Sequence, residues 1–166
     1  MQVGDLITRA QRWGEDNVWI IEGVYEDFVS LKLDMAYDPQ DEATLKYLSY
    51  TSRNHKTRMN ADYPSKKWHL LSSPGPKPLA IGSKVRTDRY RDPNNGRPRT
   101  GIIKGYYKIA TASYTTIGAE EREIIYQYLV MLDEPSPYIY QFRQGDVMPI
   151  ISPGQIWKSL NDVCGE

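Results

Sequence analysis

Cysteine occurs once, at Cys164, so no disulfide can close within this chain. Histidine is nearly as scarce, with only His55 and His69. A structural zinc centre takes clustered His and Cys ligands at short spacing, and none is expected here. No apolar run approaches the ~20 residues that cross a bilayer, so no membrane partner is expected. Net charge is also missing: 21 Lys and Arg balance 21 Asp and Glu, and no global field draws a polyanion to the chain. The opening Met1-Gln-Val-Gly-Asp5 lacks the basic and apolar regions of a secretory signal. Together with the lone thiol, these absences predict a soluble protein of a reducing cytoplasm.

What the chain has is tyrosine, thirteen of them, with four Trp and many Val, Ile and Thr residues that suit pleated, half-buried strands. It also says nearly the same thing twice. Val3-Gly4-Asp5-Leu6-Ile7 matches Ile81-Gly82-Ser83-Lys84-Val85, 78 positions on, and Gly23-Val24 matches Gly101-Ile102 at the same offset. Val29 to Asp34 matches Tyr128 to Asp133, each ending Leu-Asp, at an offset of 99. Leu70-Leu71 before Ser-Ser-Pro-Gly matches Ile150-Ile151 before Ser-Pro-Gly. Such an echo of turns and strands predicts two copies of one small β unit.

The first unit is read as residues 1–72, with strands at 3–9, 18–25 and 28–33, the last two joined by a tight turn at Glu26-Asp27. Asp41 to Leu48 has Thr44, Leu45 and Leu48 at helical spacing behind acids in the first turn, which predicts a short inserted helix. Residues 53–58 read as an exposed basic loop and Trp68 to Leu71 as a closing strand. Ser73-Pro-Gly-Pro-Lys-Pro78 is the linker, a semi-rigid spacer that cannot continue a ladder. The second unit, 79–166, has a hairpin turn at Asp92 to Pro98, because Asn95-Gly96 tolerates the positive φ of tight turns. Strands follow at 101–109 and 124–132, with an extended hairpin tip at 110–123. Residues 149–154 close the unit, and 155–163 form a C-terminal helix or turn.

Hydrophobic-Gly-polar-x-hydrophobic, then a glycine entering the second strand of a five-strand meander, resembles SH3-like small barrels of the KOW and Tudor type. The resemblance implies a mainly β fold: two tandem SH3-like small barrels, with a short helix inserted in the first and an extended hairpin in the second. It also implies binding rather than catalysis, since such barrels usually hold peptides, nucleic acids or neighbouring subunits. The aromatic signature that holds PxxP peptides is not evident in these residues.

No residue pattern contradicts a non-catalytic reading. His55 lies among basic residues and His69 beside Trp68 in a strand, neither near a nucleophile elbow, and no phosphate-cradling glycine motif opens a helix. No cofactor is expected. The first function expected is a protein-binding or structural assembly module, a subunit of a larger complex such as a phage particle, self-associating or bound to other subunits. Tyr114, Ile117, Tyr138 and Tyr140 are its anchors, because Tyr brings large contact area at low entropy cost. The alternative is nucleic-acid binding through Arg86, Arg89, Tyr90, Arg91, Arg97 and Arg99, extended by Arg53, Lys56 and Arg58, where guanidinium groups and a stacking ring interleave. Charge is segregated along the chain: residues 14–42 carry nine acids against one lysine, whereas 84–104 carry seven bases against two acids. A third expectation is therefore that the two units face each other through opposite charge.

Overall fold

The computed structural model describes residues 2–9, 14–50, 56–60, 68–112, 122–134 and 138–151. The chain is mainly β. Its first half holds β1 (Leu6–Thr8), β2 (Gly14–Val24), β3 (Phe28–Leu33), β4 (Met35–Tyr37), α1 (Glu42–Tyr50), β5 (Lys56–Asn60) and β6 (His69–Leu70). The second holds β7 (Lys84–Arg91), β8 (Pro98–Ala112), β9 (Glu123–Leu132), β10 (Ile139–Arg143), a 3-10 turn at Gln144–Asp146, and β11 (Met148–Pro149). Every strand pair is antiparallel, and the sheet curls. No described helix is long and apolar enough to cross a membrane.

The sequence echo is a hydrogen-bonding echo. Gly4 N–H donates to Ile21 O at 2.9 Å and Gly82 N–H to Ile103 O at 2.8 Å, while Ile21 and Ile103 return 3.0 Å bonds to Asp5 O and Ser83 O. Both glycines hold positive φ, 94° and 92°, which L side chains rarely adopt. Pairing then slips between Ile21 and Gly23 on β2 and between Ile103 and Gly105 on β8. The counterpart of Gly23 is thus Gly105, not Gly101, because Ile103 lies 21 positions after Gly82 whereas Ile21 lies 17 after Gly4. Ile21 faces Leu31 and Ile103 faces Val130, which preserves the offset of 99 on the third strand. Each half ends by returning to its first strand: Leu71 N–H donates to Leu6 O at 2.8 Å and Ile150 N–H to Lys84 O at 2.9 Å.

The halves share strands. Gly14 to Asn17 of β2 pair with Ala112 to Ile109 of β8, and β4 pairs with β8 through Met35 and Tyr107. A core of Ile7, Trp19, Ile21, Leu31 and Leu33 takes in Tyr107 and Leu129 from the second half. A second cluster around Val85, Ile103, Val130 and Phe142 belongs to the second half, and a small third one joins Val18 and Leu71 to Ala110 and Ile124.

Helix α1 begins where its acid predicts. The Asp41 carboxylate accepts from Thr44 N–H at 3.0 Å and Thr44 Oγ1 at 2.6 Å, satisfying donors that the first turn leaves open. Two expectations need correction. Lys56 to Arg58 do not form a loop: they lie in β5, paired with β3, whose free edge recruits them. Val3 to Asp5 make the turn before β1 rather than part of the strand, since positive φ at Gly4 bends the chain there. The proline segment lies against β9. Tyr126 OH donates to Pro76 O at 2.8 Å, and Tyr128 OH accepts from Leu79 N–H at 2.9 Å.

Candidate interaction surface

Tyr138, just before β10, and Tyr140 and Phe142 within it fall at alternating positions. Phe142 at the inner end is buried, Tyr140 is half-buried, and Tyr138 at the outer end is 62% exposed. Tyr90, near the end of β7, closes against this row, with ring centroids 5.6 Å from Tyr140 and 5.8 Å from Phe142. Tyr90 is itself about half exposed. One aromatic surface therefore runs from the second core to solvent. Burial pushes the Tyr140 hydroxyl above the ordinary tyrosine range, and the nearby Glu134 carboxylate adds to the shift.

Arginines frame this surface, and most are matched by acids. Arg99 is paired with Glu134, both largely covered. Arg89 Nη1 lies 3.1 Å from Asp146 Oδ2, and Arg91 reaches Asp88 at 3.8 Å while donating to Gly96 O at 2.8 Å. Arg86 makes a 3.7 Å contact to Met148 Sδ, and Arg97 stands exposed on the β7–β8 turn. Beside the face, Asp88, Arg89, Gly145, Asp146 and Met148 line an open cleft of about 310 Å³. Met148, Ile150 and Ile151 are exposed along the outer edge. Since Ile150 directs its N–H to β7, Pro149 places its ring nitrogen at the outward edge. That removes a donor a neighbouring strand would need.

The structure thus joins residues that the sequence reading put in separate sets, Tyr138 and Tyr140 with Tyr90, Arg89, Arg91 and Arg99. Lys56 and Arg58 lie elsewhere, on β5, with Lys56 4.0 Å from Glu22 and Arg58 over the Phe28 ring at 5.0 Å. Tyr114, Ile117, Arg53, His55, Cys164 and the 155–163 segment lie outside the described residues. Sequence reasoning missed Glu134 and Asp146, acids 35 and 57 positions from the arginines they neutralise. The Tyr-x-Tyr-x-Phe alternation of 138–142 was the available signal for the aromatic row.

Opposite charge also joins the halves. Lys108 lies 2.9 Å from Asp34, Lys104 lies 3.2 Å from Asp41, and Arg143 pairs with Glu15. These carboxylates belong to the acidic 14–42 stretch. Among the described residues, Lys104 alone of the bases in 84–104 takes part; Arg89, Arg91 and Arg99 turn to acids of their own half.

Among the described residues no group of three or more His, Cys, Asp or Glu is placed to hold a metal ion. Compared with known proteins, the chain matches no family model, no curated protein and no solved structure.

Proposed function

We propose that this chain is a non-catalytic binding and assembly module made of two SH3-like small barrels in tandem, and that it holds a protein partner on the Tyr90–Tyr138–Tyr140 face. The return of each half's last strand to its first supports the two-barrel reading. The observation that carries the function is the aromatic row that leaves the second core and reaches solvent among arginines already matched by carboxylates. Such a surface is apolar and close to neutral at its centre with a polar rim, which is the composition of a protein-binding patch. Three of its arginines, Arg89, Arg91 and Arg99, are held by carboxylates. The same pairs weaken the nucleic-acid reading, since Arg89, Arg91 and Arg99 meet phosphate only by giving up Asp146, Asp88 and Glu134.

Affinity capture from the native host with wild-type protein and with Tyr138→Ala and Tyr90→Ala variants tests the reading. A partner protein retained by the wild type and lost from both variants is expected. Equal capture by all three, or retention of nucleic acid alone, overturns it.

A further inference from the structure

Among the described residues, two exposed sets of opposite charge stand outside the ion pairs. The β2–β3 turn presents Glu26 and Asp27, both exposed and, among the described residues, in no ion pair. Apolar groups flank them: Val24 is 50% exposed, and Tyr25, 55% exposed, stacks on Phe28 at 4.6 Å. On the second half Lys84 and Arg86 project from β7 and Arg97 from the turn that follows, all exposed. Among the described residues none of these three meets a carboxylate, unlike Arg89, Arg91 and Arg99.

We propose that these surfaces are partners between copies of the chain: the acidic, aromatic β2–β3 tip of one molecule docks on the cationic Lys84, Arg86 and Arg97 surface of a second. The inference rests on the protein-binding reading and names a second copy of this chain as an occupant. Charge complementarity supports it, the exposed acids of one set matching the exposed bases of the other. Within one molecule the halves already use ion pairs to hold together, yet leave these two sets out. The two surfaces are different, so the contact is heterologous: each docking leaves one tip and one cationic side free, and copies add head to tail. Exposed charges separated by more than about 8 Å are screened at physiological ionic strength, so this association weakens as salt rises.

Sedimentation equilibrium on the full chain tests it, with wild type, the double variant R86E/R97E, the double variant E26K/D27K, and an equimolar mixture of the two. All four positions are exposed, and circular dichroism checks that each variant keeps its fold. At about 0.02 M salt the wild-type mass should rise with concentration above the 19.1 kDa of one chain, and at about 0.5 M it should return to that value. Each variant alone should stay at one chain. The mixture should associate again, because the reversed tip of one variant then meets the reversed side of the other. Wild type that stays monomeric at every concentration, association that survives in both variants, or a mixture that stays monomeric overturns the inference. So does a monomeric wild type that is retarded by single-stranded DNA. None of these outcomes touches capture of a partner through Tyr138, so the two readings fail separately.

Discussion

The Tyr126 hydroxyl donates a 2.8 Å hydrogen bond to the carbonyl of Pro76, fifty positions earlier, and so fastens the proline segment to β9. Tyr128 does the same two residues on, accepting from Leu79 N–H. Burial is the main cause that raises both phenol pKa values above the ordinary range. Neutral phenol is therefore favoured in the folded chain. Below pH ~10 both states keep the proton and the contribution is intact; above it the unfolded chain ionises first, and stability falls as pH rises toward the folded pKa. Tyr126→Phe should cost about 1 kcal/mol at neutral pH and flatten part of the alkaline loss. Urea midpoints at pH 8 and about pH 10.5 measure both effects.

Gly75 in the same segment has φ of +87°, and a Cβ there comes 2.7 Å from Ile124 Cγ2. Gly96 has φ of +67° with open space around it. Both positions strain an alanine, but only Gly75 adds a clash with a buried strand residue. Gly96→Ala should cost about 1 kcal/mol and Gly75→Ala about 2–3 kcal/mol, read from denaturant midpoints. Equal costs would mean that the segment moves aside freely.

Asp41 serves two elements at once, capping α1 through Thr44 and pairing with Lys104 of β8 at 3.2 Å. Asparagine keeps a capping oxygen and loses the charge, whereas alanine loses both. Asp41→Asn should cost about 0.5 kcal/mol, since the pair is partly solvated, and Asp41→Ala about 1–2 kcal/mol. The Thr44 hydroxyl bond is the first cause that lowers the Asp41 pKa. Its stabilisation is present above pH ~4 and disappears as pH falls through the folded value. Thermal melts of both variants between pH 7 and about pH 3 check this.

His69 sits in β6 with its pKa lowered, first by burial and then by Arg122. The folded chain resists a proton that the unfolded chain accepts below pH ~6.5. Stability is complete above that pH and declines on acidification toward the folded value. His69→Gln should remove this slope; a variant with the wild-type slope between pH 7.5 and about pH 5.5 would place it elsewhere.

Shared strands predict that the halves unfold together. Tyr107 and Leu129 complete the first core, and Gly14 to Asn17 pair with β8, so neither half keeps its contacts alone. Calorimetry should give one transition with equal calorimetric and van't Hoff enthalpies. Two resolved transitions would show that the seam opens first.

Local chemistry made much of this protein legible in the sequence. Phe28–Leu33, the Asn95-Gly96 hairpin turn, the Asp41-led helix and the doubled glycine phrase all follow from near-neighbour sterics and periodicity. The repeat carried its own pairing scheme, because a glycine of positive φ fixes a turn wherever it stands. Folding in three dimensions determined everything that depends on distant partners. It matched Gly23 with Gly105, drew Lys56 to Asn60 into a strand, and laid the proline segment under two tyrosines. It also spent three arginines on Asp88, Glu134 and Asp146 and set Tyr90 against Tyr140. Side-chain charge and aromatic area are properties of residue type, and a sequence states them; whether they face solvent or one another depends on strand curvature and register, which arise only when the whole sheet closes.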